Sequence, residues 1–164
     1  MGLRHHWKTA EAGYSLVELA LVLTIIGTLG VLATPFFLSY YQASRLRVGA
    51  EEVAAFVNLG RQLAIRQNSG ACVHIGSATV QYYVGGTVSG GSCTCACSAW
   101  IGPGTDATGS AKLPQGIGLS ANTDFVFSYL GAATPASTIT VTNSQTGATV
   151  HVTVAASGRV SIGP

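Results

Sequence analysis

Leu19 to Ser44 form a run of 26 residues without a charge. Apolar side chains fill it without leaving a polar face, so it does not read as the half-buried helix of a soluble core. As a helix, its first 20 residues would cover roughly 30 Å, the hydrocarbon thickness of a bilayer. From Arg45 to about Gln67 the pattern changes to a period of 3.6. Leu46, Ala50, Val53, Phe56, Val57, Gly60, Leu63 and Ala64 then share one stripe, opposite Arg47, Glu51, Asn58, Gln62 and Arg66. No capping break separates the two stretches, and Asn68-Ser69-Gly70 reads as a stop. The pattern therefore predicts one helix of about 80 Å from near Tyr14 to Gln67. Its outer half needs a surface for its apolar stripe.

Beyond Gly70 the chain reads as strands and turns. Strands are expected at Ala71–Ile75, Thr79–Val84, Ile117–Leu119, Asp124–Tyr129, Ser137–Thr142, Thr149–Ala155 and Arg159–Ile162. Gly76-Ser77, Gly131 and Asn143 to Gly147 supply turns between them. Gly85 to about Ala111, rich in Gly, Ser and Cys, is expected as one long loop.

Charge narrows the possibilities. The 164 residues carry only 8 Lys+Arg and 6 Asp+Glu, against 48% apolar residues and 21 glycines. So little charge excludes intrinsic disorder, and the absence of a basic stripe argues against nucleic-acid binding by bulk charge. Arg4, Lys8, His5 and His6 precede the apolar run and keep that end cytoplasmic, which places residues from Arg45 onward across the inner membrane. A plain anchor, a secretory signal cut after Val31-Leu32-Ala33 and a buried core helix all compete for the run. Glu18 disturbs all three. A carboxylate at the entrance to a membrane helix costs on the order of 2.5–3.5 kcal/mol by insertion scales, so it usually has a partner and a task.

Gly13-Tyr14-Ser15-Leu16-Val17-Glu18, followed by the apolar run, resembles the type III signal of type IV pilins and type II secretion pseudopilins. The resemblance implies cleavage after Gly13 by a prepilin peptidase and methylation of the new amine on Tyr14, where the usual residue is Phe. It implies that the membrane helix is retained and that Pro35 lies where pilin helices commonly carry a proline. Glycine before the cut leaves the scissile bond unobstructed. Once freed, the Tyr14 amine of one subunit can compensate Glu18 of another in an apolar setting and fix their register. Pro35 removes one backbone donor and crowds the carbonyl of Val31, so a kink or loosening is expected there.

In the head, Lys112-Leu113-Pro114-Gln115-Gly116-Ile117, Phe125-Val126-Phe127 leading to Gly131-Ala132-Ala133, and Ser157-Gly158-Arg159-Val160 resemble the GspH/FimT group of minor pseudopilins. The cysteine-bearing loop is not part of that pattern. In the FimT-like branch a C-terminal Gly-Arg-x-Arg motif is associated with DNA capture. Here it reads Gly158-Arg159-Val160-Ser161, without the second arginine, so Arg159 is a candidate DNA contact set against a turn residue of the last hairpin.

The four cysteines are Cys72, Cys93, Cys95 and Cys97. An even number in an oxidising compartment favours disulfides, with Cys72 joined to one of the other three and all three connectivities open. A zinc site using His74 is disfavoured, because C-x-C-x-C is not the usual ligand spacing. The histidines give no constellation, and no nucleophile or phosphate loop is apparent.

The expectation is an α+β, pilin-like chain: a leader at 1–13, a membrane-spanning helical half at 14–44, an amphipathic half at 45–67 and a periplasmic β-rich head at 68–164. It implies a non-enzymatic minor pseudopilin of type II secretion, with a FimT-like minor pilin that binds DNA as the alternative. Partners would be other pseudopilins or pilins, the prepilin peptidase and the inner membrane, with DNA only in the alternative. No cofactor or metal is expected.

Overall fold

In the computed structural model the described residues are 15–163, so Gly13 and Tyr14 lie outside them. Among them one α-helix, α1, runs over Leu16–Arg66 with Pro35 inside it. The helical assignment continues without a break through Pro35. By contacts the chain divides into two units, at residues 1–40 and 41–164.

In the first unit every described residue is exposed. No apolar face is reserved for packing, as the sequence pattern requires. The stretch is long and apolar enough to cross a membrane. In the second unit α1 turns one-sided. Leu46, Gly49, Ala50, Val53, Val57, Gly60, Leu63 and Ala64 are buried, while Arg47, Glu51, Gln62 and Arg66 stay exposed. Phe56, expected in the stripe, is only half-buried. Gly49 joins the stripe because the site leaves little room for a side chain: a Cβ there would lie 3.2 Å from Ile117. The helix closes one residue before the expected Gln67. Asn68 takes a left-handed φ of 47°, and the Ser69 amide bonds back to the Ala64 carbonyl at 3.1 Å.

Among the described residues, eleven strands follow. Ala71–Ile75 (β1), Thr79–Val84 (β2), Ser110–Lys112 (β5), Phe125–Phe127 (β7) and Ala133–Thr134 (β8) make a five-stranded sheet in the order β5-β2-β1-β7-β8. Ile117–Ala121 (β6), Ser137–Asn143 (β9), Thr149–Val154 (β10) and Val160–Gly163 (β11) make a second sheet in the order β11-β10-β9-β6. All pairings are antiparallel. Alternation sorts the faces. Ile139 and Val141 on β9, with Val152 and Val154 on β10, go inward, and the intervening threonines go out. Phe125, Phe127, Val73, Val80 and Tyr82 join them and the helix stripe in one core.

The expected loop at Gly85–Ala111 is corrected. It holds a two-stranded hairpin, Thr87–Ser89 (β3) with Ser92–Thr94 (β4), turned by Gly90 and Gly91 at φ of 61° and 83°. It also contributes β5 at the sheet edge. Alternation over three residues is too short to register, so these strands escaped the pattern. The expected Asp124–Tyr129 strand is trimmed to Phe125–Phe127, because Asp124 is a buried anchor and Tyr129 begins a turn. Arg159 likewise belongs to the turn before β11 rather than to the strand.

Candidate functional site

Three arrangements carry chemistry or contact. The first is the apolar half of α1. Its polar side chains from Leu19 to Ser39 are three threonines and Ser39 itself, and each hydroxyl donates to a carbonyl of its own helix. Thr24 reaches Leu21 at 2.8 Å, while Thr28, Thr34 and Ser39 reach Ile25, Gly30 and Phe36 at 2.9 Å each. None of these four hydroxyls is left seeking water, which is the condition for lying in hydrocarbon. Glu18 stands in the first turn of the helix, where the macrodipole favours a negative charge.

The second is the cover over the outer face of β1. Ala71 and Val73 point toward the helix stripe, and Cys72 between them points away and is bonded to Cys93 of β4. The hairpin β3–β4 lies against β1 and β7. Asp124, nearly fully buried, fastens the same place without a covalent bond. Its Oδ2 accepts the Cys93 amide at 2.8 Å and meets His74 Nδ1 at 2.7 Å, and its Oδ1 accepts the Ile75 amide at 3.0 Å. His74, one of the histidines that gave no constellation in the sequence, is thus paired. Fifty residues separate it from Asp124, so no local spacing could reveal the pair. Cys95 and Cys97 are bonded to each other on the exposed chain beyond β4. Among the described residues no group of three His, Cys, Asp or Glu could hold a metal ion.

The third arrangement lies at the C-terminal end of α1. The Arg61 guanidinium rests against two glycine turns, at Gly131 and Gly158, with φ of 85° and 77°. A Cβ on Gly131 would stand 2.7 Å from Arg61 Nε, and one on Gly158 would strike the Gly131 carbonyl. Arg61 Nε is buried without a hydrogen-bond partner. Around it Ile65, one helical turn on, and Tyr129 and Leu130 in the first turn are exposed, Leu130 at 75%. Arg159 follows Gly158 and is exposed, its carbonyl accepting the Ala155 amide at 2.9 Å. The patch combines aromatic, aliphatic and arginine groups, the mixture that dominates protein contact surfaces. The sequence stripe missed it, since its parts come from three separate segments.

Two ion pairs lie elsewhere among the described residues. Lys112 Nζ meets Asp106 at 2.9 Å, and Arg47 meets Glu51 at 3.3 Å. Hydrogen bonds from the Thr108 side chain and Lys112, with the Ser110 and Thr108 amides, hold the Asp106 carboxyl well below the usual range. Arg45 donates to the Gln115 carbonyl at 2.7 Å and lies 5.6 Å from the Tyr41 ring centre.

A long N-terminal helix, apolar and unpacked in its first part and laid on antiparallel sheets in its second, is the pilin-like fold. Two solved structures share it. The type IV minor pilin FimU of Pseudomonas aeruginosa aligns over 76% of this chain and 92% of its own, with a TM-score of 0.51 at 14% identity. The minor pseudopilin EpsH of the Vibrio cholerae type 2 secretion system aligns over 72% and 95%, with a TM-score of 0.51 at 13% identity. At such identities the likeness concerns the fold alone. No protein-family profile matches the chain, and no curated protein sequence matches it.

Proposed function

We propose that this chain is a non-enzymatic, membrane-anchored minor subunit of a pilin-type filament, and specifically a minor pseudopilin of type II secretion. The single observation that carries the reading is the switch within α1. Residues 15–41 are exposed throughout, with the hydroxyls of Thr24, Thr28, Thr34 and Ser39 satisfied within the helix, whereas the stretch from Leu46 is buried on one side against a β head. An exposed apolar helix of this length is tolerable only in a bilayer or packed among like helices. The first part would therefore anchor the subunit in the inner membrane before assembly and lie among its neighbours' helices afterwards. The head would stand in the periplasm and meet other pilins or pseudopilins through its surface, the Arg61–Leu130 patch included.

Processing follows from the same reading. Prepilin peptidase would cut after Gly13, and the freed, methylated Tyr14 would pair with Glu18 between subunits. The test is intact-mass measurement of the chain extracted from membranes of cells carrying that peptidase. A start at methylated Tyr14, abolished by a bulky residue at Gly13, is expected. A start at Thr34 would instead establish secretory cleavage and overturn the assignment.

The DNA-binding alternative is favoured by one observation, the exposed position of Arg159 directly after Gly158, whose carbonyl lies 3.5 Å from Arg61 Nη1. Against it, Lys112 is neutralised by Asp106, which leaves the head little counterion-release drive.

A further inference from the structure

We propose that Cys95 and Cys97 form a thiol–disulfide exchange site whose substrate is an accessible thiolate. The two disulfides of the head stand in opposite situations. Cys72–Cys93 spans 21 residues, its Cys72 end is fully buried, and the Cys93 amide is fixed by Asp124 at 2.8 Å. Cys95–Cys97 spans a separation of 2 and lies outside the sheets, with Cys95 exposed and Cys97 half-exposed. The loop-closure contribution of a cross-link grows with the length it closes, so the short bridge contributes the lesser share of stability. Bonds that are exposed and contribute little to the fold are the ones that exchange.

Local chemistry supports the same assignment. From Thr87 to Thr105 the chain carries no charged side chain, so nothing on this segment repels an incoming anion. The Cys97 amide is aimed at Cys95 Sγ at 3.0 Å and stabilises negative charge there. A thiolate RS⁻ attacks Cys97 Sγ. Its lone pair makes the new S–S bond, and the electron pair of the Cys95–Cys97 bond leaves on Cys95 Sγ, which takes a proton from water. A second RS⁻ attacks the outer sulfur of the mixed disulfide, forming RSSR and releasing Cys97 as a thiolate, which is also protonated. Two thiols are oxidised by two electrons, and the two cysteines are reduced. Asp124 and Cys72 keep the β3–β4 hairpin fastened throughout, so exchange needs no unfolding.

Two donors share this chemistry: a small monothiol and a protein dithiol of the thioredoxin type. The full chain, purified oxidised in detergent, is equilibrated with graded reduced and oxidised glutathione, or with reduced thioredoxin. It is then acid-quenched, alkylated in two isotopic steps and read by fragment-ion mass spectrometry. Cys95 and Cys97 are expected to become labelled at a reducing ratio at least tenfold milder than Cys72 and Cys93 require. Glutathione alone should leave a mixed disulfide on Cys97. Labelling by only one donor still supports the site and identifies its source.

Simultaneous reduction of both pairs, prior reduction of Cys72–Cys93, or free thiols at Cys95 and Cys97 in the oxidised protein would overturn the proposal. So would a large fall in melting temperature on replacing both Cys95 and Cys97 by Ser, since the bridge would then be structural. None of these outcomes depends on whether the chain assembles into filaments.

Discussion

The hydroxyl of Tyr82 on β2 donates to the backbone carbonyl of Phe56 on α1 across 2.9 Å, tying sheet to helix from within the core. Trp100 meets the Tyr82 ring edge-on at a centroid distance of 6.2 Å and closes it from the loop side. Burial pushes the Tyr82 hydroxyl far above its ordinary pKa. The folded state therefore keeps a proton that the unfolded chain loses near pH 10, and stability falls as pH rises through that value. Tyr82→Phe is expected to cost about 1 kcal/mol at neutral pH. It should also flatten the alkaline limb of a melting-temperature profile followed by near-ultraviolet circular dichroism. An unchanged alkaline limb would show that Tyr82 does not govern it.

At Gly60 the helix comes close to the sheet. A Cβ there would stand 2.8 Å from Val73 Cγ2 and 3.2 Å from the Tyr82 ring. Alanine gains up to about 1 kcal/mol in helix propensity, but overpacking costs about 1–3 kcal/mol. Gly60→Ala is expected to be net destabilising. Adding Val73→Ala should cost less in that background than alone, and a double-mutant cycle measured by denaturant unfolding checks the coupling.

Replacing Cys72 and Cys93 together by Ser should cost about 3 kcal/mol, from the length of chain they close. Reductant should then have almost no further effect on the melting temperature. A large residual effect would assign the structural role to Cys95–Cys97 instead.

Glu18→Ala removes a charge from an apolar segment and leaves no buried partner behind within the described chain. Membrane insertion should be undiminished, while incorporation into filaments, measured by crosslinking to other subunits, should fall severalfold. Normal incorporation would end the register argument.

For DNA, the full chain in detergent is expected to bind duplex weakly at physiological salt, with little loss on Arg159→Ala. Tight, steeply salt-dependent binding that disappears with Arg159→Ala would reverse the ranking of the two filament readings. Replacing Arg45 and Arg47 together serves as the control for charge on the helix.

Features written in periodicity were legible in the sequence. The apolar run needed only a count of uncharged residues, and the stripe from Leu46 to Ala64 followed from spacing. The longer strands β1, β2, β9 and β10 showed through alternation and β-branched residues. What escaped depends on meetings between distant segments. Asp124 with His74 and Cys93, or Arg61 with Gly131 and Gly158, have no shared local signal. The three-residue strands β3, β4 and β5 are too short for a period to appear, and they are held by a bridge and by neighbouring strands rather than by their own propensity.

The hairpin-bearing segment from Gly85 to Gly109 leaves β2 and returns as β5, a strand at the sheet edge paired with β2. Its exit and return are tethered by Cys72, Asp124 and the Trp100 amide on the Tyr82 carbonyl, and the helix stripe lies on the other side of the sheet. Lengthening a tethered surface segment costs only the slowly growing entropy of a longer loop. The fold thus separates two kinds of freedom: the helix-facing side is bound to its packing, while the exposed stretches between the tethers of this segment can lengthen without disturbing the core, like an exchangeable tool on a fixed handle.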